Sequence, residues 1–293
     1  MRKIGMERRH LVRLGLTAAA LFGALALWQG YSAQAQTGGD ENGAIELVDP
    51  KVLRVCADPH HLPFSDKDGG GFENKIAALL AKKLGKSLAY TYYPDTQGFI
   101  GNTLNTFRCD VVIGIAQGVD IVQTTNPYYR TSYVLITKKD SDLAAVQSFA
   151  DPKLKDKRLG VVAGSTPASY LVADGLIDKS KSYPLFIDTR YSSPAKNMLN
   201  DLRDGKIDAA ILWGPLGGYL AKSSSVPLHV QPLVKDTGGP QEVYRICMGV
   251  RHSDQNWKRT LNKLIAANST EINDILRSYG VPLLDEHDAP IAH

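Results

Sequence analysis

The chain has 293 residues, and 34 Lys and Arg against 30 Asp and Glu give it a formal net charge of +4. Five of those basic residues and one acidic residue lie within the first 13 positions, so the rest of the chain carries 29 of each sign. A chain with balanced charges has no electrostatic basis for binding nucleic acid. Its length is sufficient for one large or two medium domains.

Residues 1–35 are predicted to form a secretory signal peptide. Basic residues precede an apolar run at 14–28, and Ala33-Gln34-Ala35 supplies a small-residue cleavage site after Ala35. A membrane anchor is the alternative, but the run is shorter than the roughly 20 residues that a spanning helix needs. We therefore expect a periplasmic protein with a flexible tether at 36–49 and no membrane contact after cleavage.

A strand, an open loop and a helix begin the mature chain. The apolar run at 52–57 predicts a buried strand, and apolar spacing from about residue 74 predicts a helix that stops at Gly85. The loop between them, residues 58–72, follows the carboxyl end of the strand. Ligands of parallel α/β sheets bind at such ends, so this loop is the first place to search for function.

Strands and helices alternate along the rest of the chain. Strands are predicted at 88–93, 111–115, 133–137, 159–163, 185–187, 207–213 and 243–250, and helices at 98–107, 166 onward, 193–205, 257–265 and 269–279. The second half repeats the order of elements of the first, although the sequence repeat is faint. The predicted fold is therefore α/β with two lobes, each a mixed, mostly parallel sheet flanked by helices.

The chain is predicted to cross twice between these lobes. Lobe 1 comprises 50–137 and 238–284, lobe 2 comprises 138–237, and residues 285–293 form a C-terminal tail. The two crossovers would form a hinge over a cleft.

Three cysteines follow the signal peptide: Cys56, Cys109 and Cys247. In an oxidising compartment one pair can form a disulfide. We favour Cys56–Cys109, because Cys56 lies in the first strand and Cys109 precedes a strand expected beside it. Three buried thiols are the alternative. No Cys-x-x-Cys pair is present, so neither a zinc knuckle nor a thioredoxin-like site is supported.

Several short motifs resemble one protein family. They are RVCADP at 54–59, LPFS at 62–65, GFENKI at 71–76, NTLN at 102–105, RCDVV at 108–112, PYYR at 127–130 and MGVR at 248–251. The two-lobe order is similar to the type II (family 3-like) periplasmic binding proteins. The motifs more narrowly resemble the solute-binding proteins associated with quinoprotein dehydrogenases, the MoxJ/XoxJ type found with PQQ-dependent methanol dehydrogenases.

The resemblance implies a non-enzymatic accessory protein of methanol utilization, which serves a methanol dehydrogenase in activation, assembly or cofactor loading. The PQQ and its calcium or lanthanide ion would belong to that partner, and this chain would bind no cofactor. One alternative is a solute receptor of an ABC transporter with a small ligand in the cleft. Another is a dehydratase-like enzyme on the same fold, with Glu73 or Asp110 as the cleft carboxylate.

Two charged anchors of amino-acid receptors are missing from the sequence. Such receptors place an Arg after the third strand to bind a carboxylate, whereas this chain has Gln117-Gly118-Val119-Asp120. They also place an Asp at the end of a strand in the second lobe, where this chain has Trp213. We therefore expect a roomier, aromatic cleft.

The candidate site residues are those at loops and strand ends expected to face the cleft. They are Asp58, Phe64, Phe72, Phe99, Gln117, Ser165, Thr166 and Trp213. The aromatic residues are expected to form an apolar wall for a partner segment or a ligand, with packing between the lobes as the alternative. Ser165 and Thr166 start a helix whose backbone N–H groups favour an anion, although they could simply cap it.

No catalytic or metal site is predicted. The chain lacks Gly-x-Ser-x-Gly, and no nucleophile and base are linked by a motif. Asp58, His60 and His61 lie together, but adjacent histidines tend to point apart and spacing identifies no third ligand.

Overall fold

The computed structural model describes residues 46–185, 193–236 and 243–291. The predicted signal peptide, most of the predicted tether, part of the strand predicted at 185–187 and part of the second crossover lie outside these residues. The helices described here include none that is both long and apolar enough to cross a membrane.

Strands and helices alternate through the described residues. The strands are β1 (Val52–Ala57), β2 (His60–His61), β3 (Ser65–Asp66), β4 (Ser87–Tyr92), β5 (Val111–Ala116), β6 (Gln123–Thr124), β7 (Tyr129–Lys138), β8 (Leu159–Val162), β9 (Lys181–Tyr183), β10 (Ala209–Trp213), β11 (Leu228–Pro232) and β12 (Val243–Val250). The α-helices are α1 (Phe72–Leu84), α2 (Phe99–Asn102), α3 (Thr166–Ala173), α4 (Pro194–Arg203), α5 (Gly214–Lys222), α6 (Gln255–Ala267) and α7 (Ser269–Ser278).

The main sheet contains the predicted repeat of form. Its strand order is β4-β1-β5-β12-β7-β10-β8-β9, with β6 paired to β12 and β11 paired to β7. In the first half, β1 lies between β4 and β5 and is parallel to both. In the second half, β8 lies between β9 and β10, again in parallel. The repeated βαβαβ order and the mixed α/β sheet are therefore confirmed.

Strand β7 joins the two halves of the sheet. Residues 129–132 pair with β12, whereas residues 133–138 pair with β10 and β11. This strand is longer than the 133–137 segment predicted from the sequence. The lobe boundaries and the hinge stay predictions.

The second half of the sheet is apolar on both faces because successive residues of a strand point to opposite sides. On β7, Leu135 packs in a cluster with Leu159 and Ile211, while its neighbours Val134 and Ile136 pack with the α4 residues on the other face. Helices cover a separate core in the first half, whose members include Leu53, Phe72, Ile76, Leu80, Val111, Ile113, Leu261, Ile272 and Leu276.

A buried ion cluster closes the amino end of β5. The Asp110 carboxylate, 1% exposed, accepts bonds from Arg54 Nε at 2.7 Å and from Arg251 Nη2 at 2.8 Å. Arg251 also lies 2.8 Å from Asp254 Oδ2, and the Trp257 indole donates to the Asp110 carbonyl at 2.9 Å. The cluster thereby links β1, β5, the end of β12 and α6.

Cys56 and Cys109 form a disulfide, the pair favoured from the sequence. The bridge connects β1 to the start of β5 across a sequence separation of 53 residues. Cys247 is a free, buried cysteine, and burial raises the pKa of its thiol to about 11. A thiol in that state is a weak nucleophile at neutral pH.

Residues 46–49, predicted as the end of a flexible tether, are bonded to the folded body. The Glu46 carboxylate accepts the backbone N–H groups of Asn256 and Trp257 in the first turn of α6. A carboxylate at this position satisfies amide donors that a helix leaves open at its start. The Leu47 carbonyl accepts a bond from Arg54 Nη2 at 3.1 Å.

Three elements differ from the sequence predictions. The predicted helix at 98–107 ends at Asn102, because residues 101–106 are Gly, Asn and Thr with one Leu, and most of these are weak helix formers. A strand lies at Lys181–Tyr183 rather than at Leu185. Helix α7 has Asn268 at the N-cap position rather than Ser269.

Helix α5 and strand β11 were not predicted at all. The sequence of α5 does not predict a helix, because Gly and Pro have low helix propensity and the segment contains four of them: Gly214, Pro215, Gly217 and Gly218. The packing of the helix explains the glycine at 218, where a Cβ would overlap the Gly280 carbonyl.

Replacing Asp110 with Asn should lower the free energy of unfolding by about 3 kcal/mol, because Arg54 and Arg251 would lose the buried carboxylate that they share, and Asp254 would be the anion left beside Arg251. Urea denaturation measures the change. The matched control is Asp142→Asn, which removes a carboxylate paired with Lys157 at the surface and should leave the midpoint unchanged. Equal effects of the two variants would contradict the proposed importance of the buried cluster.

Reduction of the Cys56–Cys109 bridge should lower the free energy of unfolding by about 4 kcal/mol, because the unfolded chain regains the freedom of a long loop. Urea denaturation with and without dithiothreitol measures this difference. Cys247→Ala should leave the difference intact. Dithiothreitol can reach the bridge when it is added to the urea-unfolded wild-type protein. If the denaturation midpoint then stays unchanged, the bridge is absent.

Candidate functional site

A cavity of about 280 Å³ lies at the carboxyl ends of β1 and β5. We call it the inner cavity. Its walls come from the end of β1, from residues 112–115 of β5 and from the loop that carries β2 and β3. Trp213 at the end of β10 and Leu216 of α5 close it from the second half of the sheet.

A larger groove of about 700 Å³ adjoins this cavity. We call it the outer groove. The two share His61, Trp213 and Leu216 in their linings, so they form one continuous cleft. Leu62 and Leu185 also line the outer groove and are exposed to 42% and 49%.

The structure brings together five of the eight predicted site residues. Asp58, Phe64, Phe99 and Trp213 line the inner cavity, and Ser165 lines the outer groove. These placements agree with the expectation that ligands meet the carboxyl ends of the strands.

Phe72 was expected in the cleft, and that placement is wrong. Its side chain is fully buried. The centroid of its ring lies 5.2 Å from that of Phe64, 6.4 Å from that of Tyr129 and 5.8 Å from that of Tyr279. It is the first residue of α1 and faces the core of the first half. Gln117 is exposed, and its backbone N–H donates to the Arg245 carbonyl at 2.8 Å. It lines neither the inner cavity nor the outer groove.

Ser165 and Thr166 lie at the start of α3, as predicted from the sequence. The Ser165 hydroxyl donates to the Val162 carbonyl at 2.6 Å rather than capping the helix. The Thr166 hydroxyl lies 3.4 Å from the Tyr244 hydroxyl, which ties α3 to β12. An anion site at this helix start stays a prediction.

Trp213 belongs to a cluster of three aromatic rings. Its ring centroid lies 5.3 Å from that of Tyr133 and 5.0 Å from that of Tyr244, and all three pairs meet edge to face. The cluster joins β7, β10 and β12 where the two halves of the sheet meet. Tyr133, Tyr244 and Leu216 were not among the predicted site residues, since only their position at the junction distinguishes them.

Three carboxyl groups line the inner cavity: Asp58, Glu73 and Asp95. Asp58 accepts the backbone N–H of His60 at 2.7 Å and that of Asp95 at 2.6 Å. The Asp95 carboxylate lies 3.9 Å from His61 Nδ1. Asp95 follows β4 and could have been found from the sequence by searching the loop after every predicted strand.

Glu73 lacks a partner for its charge. Within the described residues, no hydrogen bond or ion pair reaches its carboxyl group. Burial raises the pKa of this carboxyl well above its usual range, and the charges of Asp95 and Asp58 raise it further. The carboxyl packs against Gly114, where φ is +92° and a Cβ would overlap Glu73 Oε1. Burial also raises the pKa of Asp95.

Asp110, the other carboxylate considered for catalysis, lies at the opposite end of β5 within the ion cluster. Its oxygens are bonded to two guanidinium groups, so it is not available to a ligand in the cleft. The described residues contain no group of three or more His, Cys, Asp or Glu side chains arranged to hold a metal ion.

The fold and the site are those of a known protein family. The model for bacterial extracellular solute-binding proteins, family 3, matches residues 53–281. The chain belongs to this family. It is therefore a solute-binding protein by descent, and the cleft described above is the place where the fold offers a ligand site.

Three similar proteins identify the relatives of this chain within the family. MoxJ of Methylorubrum extorquens is 30% identical over 302 residues, which cover 97% of this chain and 99% of MoxJ. The crystal structure of the periplasmic binding protein XoxJ from Methylobacterium extorquens shares 41% identity at a TM-score of 0.67, with 80% of this chain and 100% of XoxJ covered. That of MxaJ from Methlophaga aminisulfidivorans shares 26% at 0.69, with 79% and 100% covered. This solute-binding protein is thus a homologue of MoxJ and XoxJ with the type II periplasmic binding protein fold.

Glu73→Gln should change how the stability of this solute-binding protein depends on pH. The folded protein retains a proton on Glu73 that the unfolded chain releases above its pKa of 4.5. The free energy of unfolding contributed by Glu73 therefore falls as pH rises from that value through the folded pKa. The variant should lose this decline and gain stability relative to wild type toward neutral pH.

Urea denaturation across this pH range provides the measurement. Glu271→Gln, at an exposed carboxyl on α7 paired with Lys83, should keep the wild-type profile. A Glu73→Gln profile parallel to that of wild type would show that the Glu73 pKa is not raised.

Proposed function

We propose that this solute-binding protein is a non-enzymatic periplasmic accessory protein of a PQQ-dependent methanol dehydrogenase. It contacts that enzyme through or around the cleft and assists its activation, assembly or cofactor loading. The proposal combines the resemblance of the motifs to proteins associated with quinoprotein dehydrogenases and the similarity to MoxJ and XoxJ.

The observation that carries the proposal is the chemistry of the inner cavity. The residues that line it in the described part of the chain include no Lys or Arg. An amino acid binds through both of its charges, and its carboxylate is best met by a guanidinium. The inner cavity offers carboxyl groups and an indole where an amino acid needs a guanidinium for its carboxylate, so it is unsuited to a free amino acid.

The outer groove suits a protein segment instead. Exposed leucines at its edge and the Trp213 ring at its base offer the apolar and aromatic contacts that dominate protein interfaces. Apolar side chains as exposed as Leu62 and Leu185, set around a concave surface, are typical of interaction sites.

The cofactors belong to the partner in this proposal. PQQ and its calcium or lanthanide ion remain with the dehydrogenase, and this chain holds neither. Both proteins meet in the periplasm, which the chain reaches through the signal peptide predicted at 1–35.

Leu62→Asp should weaken binding to the purified dehydrogenase about tenfold or more, because it places a charge on an apolar contact surface. Biolayer interferometry gives the affinity, and PQQ occupancy and methanol oxidation of the dehydrogenase give the functional effect. Trp213→Ala should act in the same direction.

Val172→Asp is the matched control, since Val172 is exposed to 61% on α3 and lines neither the inner cavity nor the outer groove. It should bind as the wild type does. The proposal fails if the wild-type chain neither binds the dehydrogenase nor alters its activity, or if both aspartate variants weaken binding equally.

A solute receptor for an ABC transporter is the second candidate, favoured by membership of the solute-binding family. It predicts a small molecule that closes the cleft and raises the melting temperature through preferential binding to the folded state. A thermal-shift screen of amino acids and small amines tests it.

A dehydratase-like enzyme is the third candidate, and the raised pKa of Glu73 is the observation in its favour. A protonated carboxyl in a cavity can serve as a general acid. This candidate predicts turnover that Glu73→Gln abolishes.

A further inference from the structure

The carboxyl groups of the inner cavity, which are partly buried or exposed, have different partners from the buried carboxylates of the described residues. Asp110 is neutralised by Arg54 and Arg251. Asp201 binds Lys181 and Lys206. A buried charge ordinarily has such a partner, because leaving it unpaired costs several kcal/mol.

No such cation faces the inner cavity in the described residues. Asp58 is met only by backbone N–H groups, and Asp95 lies 3.9 Å from a histidine nitrogen. The Glu73 carboxyl has no partner among the described residues. The lining of the cavity therefore contains three carboxyl groups and, within the described residues, His61 as its one basic side chain.

The walls of the same cavity are aromatic. Phe64, Phe99 and Trp213 line it beside the carboxyl groups. A ring face attracts a cation and also packs against a hydrocarbon chain. Rings and carboxylates together select a positive group on an apolar stem, and a volume of about 280 Å³ is suited to one group of that size.

We propose that the inner cavity is a subsite for one organic cation, the ammonium or guanidinium of a Lys or Arg side chain inserted by the partner protein. This inference rests on the proposed function, because the outer groove is where the partner segment lies. The shared residues His61, Trp213 and Leu216 mark the passage between the groove and the cavity.

Cation binding releases a proton. Glu73 must ionise to pair with the incoming cation, and burial and the neighbouring acids favour its protonated form in the empty cavity. The other titratable groups near Glu73 are Asp58, Asp95, His61, Tyr90, Tyr128 and Tyr129. Binding should therefore tighten as pH rises through the raised pKa of Glu73 in the empty cavity.

The first test uses n-butylammonium as the probe and n-butanol as its uncharged counterpart. Isothermal titration calorimetry should detect binding of the ammonium with proton release, seen as a dependence of the heat on the buffer. Glu73→Gln should weaken it about tenfold while making the protein more stable near neutral pH, so a folding defect cannot explain the loss. Equal binding of the two probes, or no effect of Glu73→Gln, would overturn the cation subsite.

The second test uses the purified dehydrogenase. The double variant Glu73→Gln/Asp95→Asn should bind the dehydrogenase about tenfold more weakly than wild type. Asp178→Asn, which changes an exposed carboxyl between α3 and β9, should bind it as wild type does. n-Butylammonium should compete with the dehydrogenase.

The outcomes separate this inference from the proposed function. If the dehydrogenase binds wild type and the double variant equally, the inserted side chain is wrong and the accessory role remains. If the dehydrogenase does not bind while n-butylammonium does, the accessory role fails, and the cavity takes a free amine instead of a partner side chain.

Discussion

The carboxylate of Asp110 holds the first half of the molecule together. It neutralises Arg54 of β1 and Arg251 at the end of β12, and its backbone carbonyl accepts the Trp257 indole of α6. These segments are far apart in sequence, and separating any of them would leave a buried charge unpaired at a cost of several kcal/mol. The amino end of β5 is therefore fixed by the cluster, whereas its carboxyl end lines the inner cavity and is available to a ligand.

The two ends of β5 have opposite electrostatics. At its amino end Asp110 is paired with two guanidinium groups, whereas at its carboxyl end Glu73 packs against Gly114 and has no cation beside it in the part of the chain that the structure describes. A partly buried carboxyl without a cation costs stability, and replacing Glu73 by an apolar residue would remove that cost. Departures of this kind from the rules of stable packing are found at functional sites.

The sequence predicted β1 and β5 well because buried parallel strands are continuous apolar runs. The predicted runs at β1, β5 and β12 agree with the structure to within a residue. The helix α5 could not be predicted, because its glycines are explained by contacts with residues distant in sequence, such as Gly280. Local propensity and tertiary packing disagree there, and packing decides the outcome.

The site was predicted only in part, because the sequence did not show which residue at the start of α1 faces the cleft. Phe72 and Glu73 are adjacent at the start of α1, and neighbours on a helix point about 100° apart. The sequence favoured Phe72 for the cleft, whereas the structure buries it and directs Glu73 to the cavity. Because Glu73 rather than Phe72 faces the cavity, the lining combines aromatic rings with a carboxyl group instead of being purely aromatic. Because the inner cavity has carboxyl groups in its lining and, within the described residues, no Lys or Arg, its chemistry favours a positive group over a carboxylate.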